Sequence, residues 1–156
     1  MKLQTKEAAF RYVINKLEDQ GYRINHVQEY NKTRHRLYYT KKGLFYVVFK
    51  REFFLTFSKQ FPVFAEQNPT GYGESINKYF LEIALAKDAV LLFVYSDGKI
   101  YKCYPKTIKT ICEKNNLIRI QEKMNAYKLM DYSGKKEYQQ EITYSFPLFL
   151  LERFLE

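Results

Sequence analysis

Val90 to Tyr95 is a nearly continuous apolar run, and the pair Asp97-Gly98 follows it. A strand made from such a run has no polar face to give to water, so both of its sides need cover from other parts of the chain. That places it in a layered domain, with helices laid against a sheet. Asp-Gly between this run and Ile100 to Tyr104 is a strong turn signal and predicts a hairpin over 90–104.

Helical spacing elsewhere supplies the cover. Phe10, Val13, Ile14 and Leu17 recur at i, i+3, i+4 and i+7 behind Thr5, a capping residue type, and ahead of Gly21, which suits a left-handed stop. They predict a first helix over 6–20. Ile76, Tyr79, Phe80, Ile83 and Ala84 form a second stripe, which predicts a helix over about 75–87 with Ser75 as its cap and Glu74 or Glu82 near polar faces. Pro105 suits a first helical position, with Ile108, Ile111 and Cys112 on one face and Asn115-Asn116 as the stop. A short helix is predicted from Pro147 to Phe154.

Strands are read between these helices. Tyr22, Ile24 and Val27 suggest one, and Arg36 to Thr40 and Leu44 to Lys50 flank the short connection Lys41-Lys42-Gly43 as a hairpin. Phe53, Leu55 and Phe57 alternate with Phe54, Thr56 and Ser58 as a further strand. Gln60 to Gly73, with Pro62, Pro69, Gly71 and Gly73, reads as a surface loop into the second helix. Leu117 to Ile120, Tyr127 to Asp131 and Glu141 to Tyr144 are late strands, with Ser133-Gly134 as a turn. The expected fold class is mixed α/β: one domain over 1–156, a central mixed sheet flanked by helices, and a β-rich C-terminal extension.

Length and composition agree with one folded unit, because a chain of 156 residues buries roughly two thirds of its unfolded surface. Met1 to Ala9 is polar and lacks the apolar core of a signal peptide, and no apolar stretch nears the roughly 20 residues needed to cross a bilayer. A cytoplasmic protein without a membrane partner is expected. Cys103 and Cys112 form no Cys-x-x-Cys pair and are expected reduced and buried. With only His26 and His35 beside them, no zinc site of ordinary spacing can be assembled, and no metal is expected.

The charge is laid down in blocks. Residues 22–60 hold nine Lys and Arg against two Asp and Glu, and residues 99–136 hold ten against three, so each carries +7 of a total of +9. The segments 61–98 and 137–156 each carry −3. If the two basic segments converge, they make a positive face that attracts polyanions and loses affinity with salt. Nucleic acid is therefore the expected partner. Lys enrichment on a solvated surface is the competing reading, and a homodimer is left open.

The order helix, three strands, helix, strand, strand over about residues 5–104 resembles the core of the PD-(D/E)xK nuclease superfamily, which includes restriction endonucleases and archaeal Holliday-junction resolvases. The resemblance implies a restriction-endonuclease-like core over 1–104, extended by 105–156. In that family an acid near the end of the second core strand and an acid-x-Lys on the third hold divalent metal at the scissile phosphate. Here the second strand reads Leu37-Tyr38-Tyr39-Thr40, without an acid. The third reads Val47-Val48-Phe49-Lys50, which keeps the Lys and has Val48 in the acid's place. Glu52 follows Lys50 in reverse order. Asp97-Gly98-Lys99 matches acid-x-Lys literally but reads first as a turn, and Glu7 stands where some members carry another acid. The expectation is an inactive relative that binds nucleic acid. Glu7, Lys50, Glu52, Asp97 and Lys99 are the catalytic candidates if it is instead a Mg-dependent nuclease, which would require Asp97 or Glu52 to meet Glu7 or Glu74 closely enough to share a metal.

The expected binding surface is Arg34, Arg36, Tyr38, Tyr39, Lys41, Lys42, Lys50 and Arg51, extended by Lys99, Lys102, Lys106 and Lys109. Tyr38, Tyr39 and Tyr46 lie among bases there, the mixture that stacks single strands and neutralises phosphates. Thr70-Gly71-Tyr72-Gly73-Glu74-Ser75 leads into the second predicted helix and resembles a phosphate loop only weakly, lacking the third glycine of a dinucleotide fingerprint and the Gly-Lys-Ser/Thr of a P-loop, with Glu74 set to repel an anion. His35 reads as a surface residue in a basic loop. A third function class, a protein-interaction module, would use Phe53 to Phe64 as an apolar patch.

Overall fold

The computed structural model describes residues 2–30, 33–50, 55–56, 72–124 and 138–155. The fold is mixed α/β, as expected. Helix α1 (Lys6–Asp19) leads into β1 (Ile24–Glu29), β2 (His35–Thr40) and β3 (Gly43–Lys50); the two-residue β4 (Leu55–Thr56) and β5 (Tyr72–Asn77) follow. Then come α2 (Lys78–Ala86), the hairpin β6 (Val90–Tyr95) and β7 (Ile100–Cys103), α3 (Pro105–Lys114), β8 (Ile118–Met124), β9 (Tyr138–Pro147) and β10 (Glu152–Arg153).

Local chemistry sets the boundaries that periodicity predicted. Thr5 Oγ1 accepts a hydrogen bond from Ala8 N at 3.1 Å and caps α1. The helix ends with Gly21 at φ 86° and Tyr22 N donating back to Leu17 O, the αL stop that a glycine takes without strain. In the β6–β7 turn, Asp97 Oδ1 accepts from Lys99 N at 3.0 Å and Gly98 takes φ 88°.

Six strands form the first sheet in the order β1-β2-β3-β6-β7-β10. β1, β2 and β3 are antiparallel neighbours, β3 and β6 run parallel, and β7 and β10 continue antiparallel. In the second sheet β9 lies between β8 and β5, all antiparallel, with β4 beside β5. The alternation of β6 explains its unbroken apolar run. Leu92 and Val94 face α1, where Phe10, Val13 and Leu17 pack on them with Val47 and Phe49. Leu91, Phe93 and Tyr95 face the opposite side, against Leu81 and Ala84 of α2, Ile108 and Cys112 of α3, and Phe146 of the second sheet. Each large apolar side chain so enclosed contributes about 1.5–3 kcal/mol of transfer free energy.

Three predicted elements differ. Residues 72–77 form β5, where a loop and a Ser75-capped helix were expected; α2 starts at Lys78, with Asn77 Oδ1 accepting from Tyr79 N at 2.8 Å. The cause is distant: β5 pairs with β9 from Gly73↔Pro147 to Asn77↔Thr143. Gly73 and Glu74 are thus strand residues, not a phosphate loop at a helix start. The predicted helix 147–154 is a single 3-10 turn, Leu148–Leu150, followed by β10, because Glu152 and Arg153 pair with Lys102 and Tyr101. Late strand 141–144 lengthens to β9, while Tyr127 to Asp131, Ser133-Gly134 and most of Phe53 to Phe64 lie outside the described residues. Cys103 and Cys112 are free thiols, and burial pushes both up to about 12, which keeps them protonated.

Candidate nucleic-acid interface

Where the β2–β3 turn, the end of β7 and the start of α3 meet, a groove of about 960 Å3 opens. It gathers lysines from both basic segments: Lys42 from the first, Lys102 and Lys106 from the second. Lys42 is exposed in the tight turn that Thr40 fixes, its Oγ1 accepting from Lys42 N at 3.2 Å and donating to Gly43 O at 2.6 Å. The Lys42 ammonium lies 5.4 Å above the Tyr22 ring. Lys102, 27% exposed, reaches Phe154 at 5.2 Å and Glu152 at 3.6 Å, so its charge is shared between the groove and a long pairing with an exposed acid.

Helix α3 is electrostatically unfinished at its start. It has Pro at N1, no acid in the first turn, and an N-cap, Tyr104, whose side chain makes no capping bond. Lys106 stands in that first turn, with Lys109 a turn further on, and both are exposed without an ion-pair partner among the described residues. A cation against the positive end of a helix dipole is destabilising by a few tenths of a kcal/mol or more, and an incoming anion reverses the sign. Asp88, at φ 51°, is the acid on this groove.

A second polar cluster lies at the other end of the parallel pair β3–β6. The carboxylate of Glu74, whose side chain is 5% exposed, is held by three donors. Oε1 accepts from Lys50 Nζ at 3.1 Å and from Ser75 N at 2.9 Å; Oε2 accepts from the Tyr95 hydroxyl at 2.6 Å. Lys50 Nζ also donates to Ser75 O at 3.0 Å. Burial, and then Glu74, push the Tyr95 phenol far above its ordinary range, so it stays a donor. Beside them His35 stacks on Phe80, with centroids 4.0 Å apart, and its Nδ1 lies 2.9 Å from the Tyr46 hydroxyl. Burial lowers His35 to about 3, with Lys50 adding to the effect, so the imidazole is neutral at pH 7. A cavity of about 260 Å3 touches His35, Lys50, Asn77 and Thr143.

The other candidates are spread out. Arg34 and Lys41 are exposed at opposite ends of β2. Arg36 lies 3.2 Å from Glu29 and 4.4 Å over the Phe10 ring, so its charge is partly spent within the fold. Tyr39 is half-buried and donates to Gln28 Oε1 at 3.2 Å. Tyr38 and Tyr46 are corrected: both are fully buried, Tyr38 donating to Phe10 O at 3.2 Å, and neither can stack a base. Their alternation with Leu37 and Phe45 puts them in the two core layers, one on each side of the sheet. His35 is likewise corrected from a surface residue to a half-buried strand residue.

Glu7 is exposed in the first turn of α1, and Asp97 and Lys99 close the β6–β7 turn, 3.8 Å apart. Arg51 and Glu52 lie outside the described residues. Lys50 does meet an acid, but it is Glu74 from β5, which the sequence pattern did not single out for this role. Among the described residues no three His, Cys, Asp or Glu side chains gather as metal ligands. A lone carboxylate already accepting from Lys50, Ser75 and Tyr95 does not fit a divalent ion.

Tyr22, Tyr104 and Phe154 are groove residues that sequence reasoning missed. The signal for Tyr104 was present: it stands just before Pro105 in Lys102-x-Tyr104-Pro105-Lys106, an aromatic where Ser, Thr, Asp or Asn would cap a helix. Comparison of the chain with protein-family models, with curated proteins and with solved structures found no match. No helix among the described residues is long and apolar enough to cross a membrane.

Proposed function

We propose that this protein binds nucleic acid without cleaving it, through phosphate contacts in the groove between the β2–β3 turn and α3. The observation that carries this reading is the convergence of Lys42 with Lys102 and Lys106, residues from two basic segments about sixty positions apart, at a helix start with no acidic residue in its first turn. Three lysines on the lining of one groove with low-dielectric walls raise the local potential and release counterions when phosphates replace them. β4 and β5 stand between β3 and α2 and interrupt the nuclease-like order of helix, three strands, helix, strand, strand, and Glu74 of β5 is engaged as a structural partner of Lys50.

The test is fluorescence anisotropy with labelled DNA and RNA over a salt series, with Mg2+ in a parallel set read on a gel. Affinity is expected to fall linearly with log salt, and the product to stay intact. Replacing Lys42, Lys102 and Lys106 together with Ala should flatten the salt slope by about 3 and weaken binding more than about tenfold near 0.1 M salt. Lys99→Ala, in the turn at the opposite end of β6, serves as the charge control and should change little. Asp88→Asn, tolerated at its left-handed φ, should tighten binding. Binding that ignores the three lysines sinks the groove, and metal-dependent cleavage sinks the non-catalytic part.

A further inference from the structure

Resting on that reading, we propose that the groove takes single-stranded nucleic acid, with an unpaired base stacked on Tyr104 and the flanking phosphates held by Lys102 and Lys106. Tyr104 is 48% exposed, a large aromatic ring left in water beside the walls of the groove. Strand alternation turns Lys102 and Tyr104 away from buried Cys103 and to the same side, and α3 then begins, so Lys106 follows within its first turn. An exposed ring thus stands in the chain between two lysines, and all three residues line the groove. Tyr22 and Phe154, packed edge to face with centroids 6.5 Å apart, line the groove as a second apolar surface beneath Lys42 and Lys102.

This combination discriminates by strandedness. A duplex offers its phosphates to lysines but keeps the faces of its bases inside the stack, so an exposed tyrosine gains nothing from it. A single strand offers both, and an aromatic face accepts any base because each has a π-surface. Asp88, also on the groove lining, repels phosphate where it stands, which favours a backbone that keeps to the lysines.

The experiment compares a short labelled single strand with a hairpin duplex of the same length, for the full chain and its variants. Single-strand binding is expected to be at least tenfold tighter. Tyr104→Ala should lose roughly 5- to 100-fold for the single strand without altering the salt slope, whereas Lys106→Ala should lower that slope by about 1. Tyr104→Phe keeps the ring and should retain affinity. The chain has no tryptophan, so Tyr104→Trp introduces a lone reporter whose fluorescence a stacked base quenches; the single strand should quench it and the duplex should not. Equal affinity for the two forms, or no loss in Tyr104→Ala, overturns the stacking proposal and leaves phosphate binding standing. Absence of salt-dependent binding to either form removes both.

Discussion

Glu74→Ala is expected to lower the free energy of unfolding by about 3–5 kcal/mol, read from denaturant titration at pH 7. The carboxylate is nearly inaccessible and collects three donors, from Lys50, Ser75 and Tyr95. Deleting it strands an ammonium group that is only 27% exposed and a buried phenol at once. That is the costly half of an ion-pair deletion, in which one charge remains in a medium that cannot hydrate it. Glu74→Gln keeps an oxygen for Lys50 and Ser75 and an amide for the Tyr95 oxygen, and should cost about half as much. Lys50→Met combined with Glu74→Leu should recover much of the loss, because a buried pair exchanged for apolar side chains is often close to neutral. A loss below about 1 kcal/mol for Glu74→Ala would mean that water reaches the cluster freely.

The same variants separate the two ends of the sheet. Lys50 and Tyr95 are the last residues of the parallel strands β3 and β6, while Lys42 precedes β3 and Lys102 and Lys106 flank the end of β7. If the groove alone contacts phosphate, Glu74→Gln weakens the fold and leaves the salt slope of binding as it was. The lysine variants do the reverse.

How much of this was legible follows from the range of the interactions involved. The run Val90 to Tyr95, the caps at Thr5 and Gly21 and the turn at Asp97-Gly98 are fixed by residues within one turn or one strand of each other, and they were read directly. β5 was not, since Gly73 and Glu74 look like a loop until Pro147 and Phe146 pair with them some seventy residues away. Glu74 shows the same limit in the site: its partners come from β3 and β6, and nothing beside it in the chain announces a buried acid. The basic surface was legible in outline, because charge counting needs no coordinates, yet Lys42, Lys102 and Lys106 could be picked from the other bases only by the β3–β6–β7 pairing. For the tyrosines, period 2 alone cannot distinguish a dry face from a wet one where both sides of the sheet are covered. Tyr38 and Tyr46 therefore belong to the core, and Tyr104, just past a strand end, stands in solvent.

Stability should also fall on mild acidification, and His35 should be the reason. Its imidazole sits between Phe80 and Tyr46 with the Lys50 ammonium nearby, and burial first, then that charge, hold it down to about 3 against about 6.5 in the unfolded chain. Between those values the unfolded state binds a proton that the folded state refuses. The stabilisation is therefore complete above about pH 6.5 and drains away as pH falls toward 3, at about 1.4 kcal/mol per unit, or about 2 kcal/mol by pH 5. Carboxylates begin to contribute near that pH, so the quantity to measure is the difference between the wild type and variants without the imidazole. His35→Phe keeps the stack on Phe80 and orphans the Tyr46 hydroxyl, whereas His35→Gln keeps an acceptor and gives up the stack. Their stabilities at pH 7 should differ from each other, yet both should lose the same pH-dependent component between pH 7 and 5 in urea titrations. Curves that run parallel to the wild type would show that the ring accepts a proton without leaving its place, and that the contact with Phe80 is open to water.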